Sequence, residues 1–227
     1  MLLNPYRFSA GLAPAESVSF ISSSARVIGT SASSVSVLIP ALTQIGDLMV
    51  MSVNFYQTLT APAGWTQYGS TQTISTTRRL AHYYKITEAG EPGFSRTWTQ
   101  GANNYINYSL SIWRGGAPLA IKAAVTGGGT GVTGLAVQTS TLLTNGRVAL
   151  VAYGAQIANT QFPCSWTFTA SGWTFIGGGS NATEVQRSVF AYKPVTQPSD
   201  VGGTVSFAPD DLTSDEWQST TLVIGYA

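Results

Sequence analysis

Apolar and polar residues alternate in short runs along most of the chain, and turn-forming residues separate these runs. Residues 35–39 and 108–113 follow the two-residue period of a β-strand. Residues 47–53 are apolar at nearly every position, which predicts a central strand buried on both faces. No long window has the spacing of an amphipathic helix. The pattern therefore predicts an all-β fold, with strands bounded by Gly, Pro, Ser and Asn.

The second half of the chain repeats motifs of the first half in the same order. The separations are 100, 108, 108 and 112 residues for the pairs Gly46/Gly146, Trp65/Trp173, Tyr84/Tyr192 and Leu110/Leu222. Insertions in loops explain the growing separation, because loops tolerate added residues. We therefore predict a double-sheet β-sandwich made of two internally duplicated halves that close one core. In such a core Trp65 and Trp173 are packing residues.

The repeat divides the chain into an N-terminal arm, residues 1–25, and a β-sandwich, residues 26–227. Within the sandwich, half 1 covers about 30–117, a glycine-containing linker 118–133, and half 2 about 134–227. The extended arm has no counterpart in the repeat and no periodicity. Its apolar residues either dock onto another subunit or pack on their own domain; they include Leu2, Leu3, Tyr6 and Phe8.

Charge and hydropathy narrow the range of partners. Only 9% of residues are charged and the net charge is +1, without a basic cluster, which argues against nucleic-acid binding. A chain with so little charge tends to associate, so we expect a homo-oligomer. No apolar stretch approaches the length of a membrane span, and the start of the chain does not resemble a signal peptide. We therefore expect no membrane insertion, and release by cell lysis as part of a particle.

The residue types needed for catalysis or metal binding are scarce. One His and one Cys, far apart, predict no zinc site, and nothing indicates another metal or a cofactor. His82 shares a strand face with Leu80 and Tyr84, and its counterpart in the repeat is Phe190, so we interpret it as a packing residue. No strand carries the paired carboxylates of a glycosidase. We expect a protein that is not an enzyme.

Two loops that correspond in the repeat combine aromatic and polar residues, as sugar-binding or protein-binding surfaces do. Their candidate binding residues are Asn103, Asn104 and Tyr105 in the first half, and Asp210, Asp211, Asp215 and Trp217 in the second. The acidic loop, residues 210–216, has the oxygen ligands that calcium prefers, but its composition favours an ordinary solvated loop.

Several motifs resemble a β-sandwich module of bacteriophage virion proteins and bacterial surface proteins, a jelly roll of the concanavalin-like kind. The motifs are Gly46-Asp47-Leu48-Met49-Val50, Pro62-Ala63-Gly64-Trp65-Thr66, Tyr83-Tyr84-Lys85, Glu91-Pro92 and Trp113-Arg114-Gly115, and the opening residues 1–8 resemble the starts of small phage structural proteins. The second half departs from the pattern, since Arg147 replaces the aspartate and Ser171 the proline.

This resemblance implies a structural virion protein, assembled in the host cytoplasm, with other capsid or tail subunits as partners. The leading expectation is a tail fibre or tail-tip protein, anchored by its arm, whose sandwich contacts a host receptor or surface glycan. One alternative is a head decoration protein that stabilises the capsid. Another is a carbohydrate-binding module of a secreted protein. Sequence alone leaves head or tail location, copy number and ligand open.

Overall fold

The computed structural model describes residues 17–27, 32–130, 134–136, 138–156, 165–168, 172–180, 186–197, 204–208 and 216–227. Every strand pair in these segments is antiparallel, and the segments contain no helix. The predicted all-β sandwich class is confirmed. Short alternating runs produce this result because a β-strand presents successive side chains to opposite faces.

Sixteen strands follow one another along the chain. They are β1 Val18–Val27, β2 Ala32–Leu38, β3 Leu48–Tyr56, β4 Leu59–Thr60, β5 Thr66–Thr73, β6 Arg78–Ile86, β7 Ser95–Asn104, β8 Asn107–Gly115, β9 Leu119–Thr130, β10 Gly134–Ala136, β11 Val148–Gln156, β12 Ser165–Phe168, β13 Thr174–Ser180, β14 Gln186–Pro194, β15 Thr204–Ala208 and β16 Glu216–Tyr226.

The strands form two five-stranded and two three-stranded sheets. The large sheets have the orders β1-β8-β3-β6-β5 and β9-β16-β11-β14-β13. The small sheets have the orders β2-β7-β4 and β10-β15-β12. Each strand of the first half thus has a counterpart eight strands later in the same place of its sheet. This correspondence supports the duplication that the repeated motifs predict.

The large sheets pack face to face, and each is buried on both sides. In β3, Met49 and Met51 enter a cluster with the first small sheet, whereas Leu48 and Val50 enter a cluster with the second large sheet. In β11, Ala149 and Val151 belong to a third cluster on the far side of that sheet. The sequence predicted that the halves close one core, and this prediction is wrong, because the buried residues form separate clusters. The described residues form three buried clusters, which explains why β3 is apolar at most positions on both faces.

The predicted linker and arm boundaries differ from the structure. Residues 119–130, predicted as linker, form β9, and Gly127–Gly129 pair with Ser219, Gln218 and Trp217 of β16. Residues 18–25, predicted as arm, belong to β1, which pairs with β8 and is the counterpart of β9. Glycine and serine in these edge strands concealed the pattern, because an edge strand needs fewer large apolar residues. Residues 1–16 lie outside the described residues.

One predicted correspondence is shifted by a single residue. Leu110 lies opposite Met51, while the residue opposite Val151 is Thr221 rather than Leu222. The separation between β8 and β16 is therefore 111 residues. A shift of one residue moves every side chain of a strand to the opposite face of the sheet. Leu110 accordingly packs in the first cluster, whereas Leu222 packs between the large sheets.

The equivalent strands β3 and β11 begin at the same end of the molecule. The ring of Trp113, opposite the start of β3, lies 5.2 Å from the ring of Tyr192, near the start of β11. At the other end of these strands Asn54 donates a hydrogen bond to Ser188, with 3.2 Å between Nδ2 and Oγ. We call the end at which β3 and β11 begin the upper end, and the end at which they finish the lower end.

Candidate functional site

The predicted binding residues of the first half lie at the lower end, in the tight connection between β7 and β8. Asn104 is the last residue of β7, and its Oδ1 accepts hydrogen bonds from Arg78 Nη2 and from Tyr105 N, both at 2.8 Å. Arg78 also donates to the Tyr105 carbonyl, at 3.2 Å. Because Arg78 is only 5% exposed, these contacts fix the connection to the sheet. Asn103 is exposed, whereas the amide of Asn104 is used in holding the turn.

The second predicted loop is only partly described. Trp217 lies in β16 rather than in a loop, opposite Gly129, and packs against the third cluster. A Cβ atom added to Gly129 would lie 3.6 Å from the Trp217 ring, which is an ordinary contact distance, so the indole does not require glycine there. Other predicted site residues lie outside the described residues: Asp210, Asp211, Asp215 and the arm residues Leu2, Leu3, Tyr6 and Phe8.

His82 is buried between the two large sheets and is 2% exposed. Its Nδ1 lies 3.0 Å from the Ser52 hydroxyl, and Nε2 has no hydrogen-bond partner among the described residues. Burial lowers the pKa of His82 to about 3, so the ring is neutral at physiological pH. The prediction that His82 is a packing residue is confirmed. Trp65 and Trp173 likewise pack against the first and third clusters, as predicted.

The upper end has a cavity of about 310 Å³ beside the connection between the halves. Its lining includes Asp47 and Arg114, which form a bidentate ion pair. Arg114 Nε donates to Asp47 Oδ1 and Nη2 donates to Oδ2, each at 2.7 Å. The hydrogen bonds to Asp47 raise the pKa of Arg114. Asp47 also accepts a hydrogen bond from the Gln44 backbone N–H, so it holds the turn before β3 in place. The pair is thus engaged within the fold.

Apolar side chains are exposed around this upper cavity. Ile45 lines it and is 71% exposed, and Leu42 in the same turn is 69% exposed. Leu142, in the corresponding turn of the second half, is 40% exposed. The first described residue, Ser17, lies here too, because its N–H donates to the Tyr226 hydroxyl, which also accepts from Gly116. The chain therefore enters β1 at the apolar upper end.

A groove of about 330 Å³ opens on the side of the first half, towards the lower end. It forms because the first small sheet has three strands and cannot cover the five strands of the large sheet. The uncovered part lies between β4 and β5. Aromatic, amide, hydroxyl and guanidinium groups surround the groove; the lining residues are Phe55, Gln57, Thr58, Leu59, Gln67, Thr71, Arg79 and Tyr83.

The hydrophobic pattern did not predict this groove, although aligned positions that differ between the two halves indicate it. By register, Phe55 corresponds to Ala155, Tyr83 to Ala191 and Gln67 to Phe175. Residues that build the groove in one half are therefore replaced in the other, while the turns and the inner strands keep their character. A search for aligned positions that differ between the halves would have found it.

No three residues among the described His, Cys, Asp and Glu side chains are grouped so that they could hold a metal ion. Over the same part of the chain, no helix is long and apolar enough to span a membrane. No protein-family model, curated protein or solved structure matches the sequence or the fold. The arrangement of groups in the chain itself is therefore the basis for assigning a function.

Proposed function

We propose that this chain is a non-enzymatic structural protein of a bacteriophage virion, attached through its upper end. The observation that carries the proposal is that residues 1–16 join β1 where Leu42 and Ile45 are most exposed. Scattered exposed apolar residues are normal on a protein surface, but their grouping beside an apolar chain segment favours a contact surface.

The two ends have different chemistry, and this difference supports an oriented attachment. The upper end presents Leu42, Ile45 and Leu142 and is where the chain enters β1, whereas the groove opens towards the lower end. Attachment through the upper end would leave the groove facing outward. A tail fibre or tail-tip position, with contact to the host surface, uses both ends in this way. Assembly in the host cytoplasm and partnership with other virion subunits form part of the same proposal.

Attachment can be tested by producing tagged chains during infection and quantifying them in purified particles. Deletion of residues 2–16 leaves β1 intact, and we expect it to abolish incorporation without unfolding the sandwich. Leu42→Ser with Ile45→Ser should reduce incorporation, because it makes the contact surface polar. Phe175→Ser is the matched control, since Phe175 is 52% exposed and lies in the edge strand β13 rather than in the turns that carry Leu42 and Ile45.

Normal incorporation of the deleted chain would refute the proposed attachment. The number of copies per particle separates the two virion positions, since a decoration protein covers the head in hundreds of copies and a tail protein occurs in few. We expect few copies. A large number would favour capsid stabilisation as the role.

A further inference from the structure

We propose that the groove between β4 and β5 binds a short saccharide that carries a carboxylate group. This inference deepens the outward-facing part of the proposed function, but the contacts that carry it belong to the groove alone. The cavity, about 330 Å³, is within the size range of small-ligand sites, which begin at about 300 Å³.

The groove offers a saccharide a polar rim above an aromatic floor. Phe55 and Tyr83 form the floor and are only 2% and 6% exposed, so the contacts with a bound ring come mainly from the polar groups around them. Gln57, Gln67 and Thr71 line the same space, and their amides and hydroxyl can both donate to and accept from sugar hydroxyl groups. Such groups are uncharged, so their desolvation on binding costs less than that of ions.

Arg79 gives the groove a preference for an acidic ligand. Its guanidinium donates to the backbone carbonyls of Ser75, Thr76 and Arg78, which holds it rigidly beside the groove. No acidic side chain among the described residues pairs with it, unlike Lys85, Arg96 and Arg114. A cation without a carboxylate partner favours a ligand that supplies one.

A backbone feature and a side-chain difference between the halves indicate a specialised site. Gln57 has a φ of 56°, and among the described non-glycine residues it alone has a left-handed backbone conformation. Such a conformation is costly outside glycine and is concentrated at functional positions. The second half has alanine at the positions of Phe55 and Tyr83, so the lining of the groove is particular to the first half.

A peptide strand added to the exposed edge of β5 is less favoured by the geometry. The pairing of β5 with β6 shifts between Tyr68 and Gln72, and Gly69 has a φ of 68°. An irregularity of this kind bends an edge strand and interrupts the row of backbone groups that a peptide would pair with. Binding therefore relies on the side chains in the groove.

The test uses the full chain in solution and trisaccharides of galacturonic, glucuronic and mannuronic acid, each beside its neutral counterpart. Ligand-observed NMR and calorimetry measure binding. We expect at least one acidic trisaccharide to bind, with its neutral form weaker by about tenfold or more, the change expected for one lost charged hydrogen bond.

Two substitutions locate the site. Gln67→Phe introduces the residue that the second half has at this position, Phe175, so the fold should accept it. Tyr83→Phe keeps the ring and removes the hydroxyl. Each should weaken binding about tenfold, while Ser70→Ala, on the same strand outside the groove, should not. Thermal unfolding of each variant verifies that it is folded.

The proposal is overturned if no trisaccharide binds, if acidic and neutral forms bind equally, or if binding survives both groove substitutions. Capture of a strand-forming peptide at β5 with no sugar binding would also overturn it. None of these outcomes affects the proposed attachment, because the groove variants retain the upper end. Conversely, the chain without residues 2–16 should still bind the sugar.

Discussion

His82 and Phe190 occupy the same position in the two halves of the molecule. His82 lies opposite Ser52 in the pairing of β3 with β6, and Phe190 lies opposite Ala152 in the pairing of β11 with β14. Both side chains are buried between the large sheets. One half thus places a polar Ser–His pair where the other places an apolar pair, within the same strand arrangement.

This relationship predicts a stability loss in acid. The pKa of His82 falls from 6.5 to about 3 on folding, so the unfolded chain binds the proton more readily. Stability is therefore full above about pH 6.5 and decreases as the pH falls towards 3, at about 1.4 kcal/mol per pH unit. Urea unfolding at several pH values measures this slope. The acidic groups also titrate in this range, but they are the same in all variants, so a comparison of variants isolates the contribution of His82.

The second half supplies the control for the acid effect. Ser52→Ala with His82→Phe reproduces the Ala152–Phe190 pair and removes the titrating group. We expect this variant to fold and to lose the part of the slope that His82 contributes. His82→Gln, which is polar but does not titrate, should flatten the curve as well. An unchanged slope in both variants would show that other groups cause the acid sensitivity.

The Asp47–Arg114 pair should make a measurable contribution to stability. Asp47 is 3% exposed and accepts from both Arg114 and the Gln44 backbone. Asp47→Ala removes these bonds and leaves the guanidinium hydrogen-bonded to the Leu42 carbonyl. We expect a loss of about 2–3 kcal/mol in the free energy of unfolding, measured in urea.

The second half again provides a compensating pair. Arg147 stands at the position of Asp47, and Gly225 stands at that of Arg114. Arg147 donates to the Leu142 carbonyl at 2.8 Å. This bond is the counterpart of the one from Arg114 to the Leu42 carbonyl in the first half. Asp47→Arg should therefore destabilise strongly alone, because two guanidinium groups meet, and less when combined with Arg114→Gly. Additive effects of the two changes would contradict this coupling.

Alanine substitutions at Gly46 and Gly64 distinguish the cost of backbone strain from the cost of a steric clash. Both have a positive φ, 83° and 91°, but a Cβ on Gly64 would lie 2.8 Å from Lys85 Nζ, whereas one on Gly46 meets nothing within 4 Å. Gly46→Ala should cost about 1 kcal/mol from strain alone. Gly64→Ala should cost more, because it displaces Lys85.

The extra cost of Gly64→Ala has a defined source. Lys85 Nζ lies 2.9 Å from a carboxylate oxygen of Glu91, and this contact is the main cause that raises the pKa of Lys85. Thermal unfolding of the two alanine variants, with Glu91→Gln as a third, measures the contribution. If the effect of Gly64→Ala is unchanged in the Glu91→Gln background, the ion pair is not involved.

The sequence by itself determined the fold class, the repeat and the role of His82. Alternation with a period of two and turn residues at fixed places are local properties, so they are readable without a structure. The exchange of His82 for Phe190 was likewise visible, because a position that accepts both polar and apolar rings is governed by packing. The turn glycines Gly46 and Gly146 recur for the same local reason: both have a positive φ.

Only the tertiary structure decided how the halves meet and where the groove lies. Phe55 and Tyr83 are far apart in the chain and belong to the first buried cluster. They form the floor of an open groove because the small sheet is too narrow to cover β5. The edge strands β1 and β9 were missed because their small polar residues carry little hydrophobic signal, and backbone pairing with β8 and β16 defines them. Sheet width and pairing partners depend on contacts between distant segments, which local periodicity does not contain.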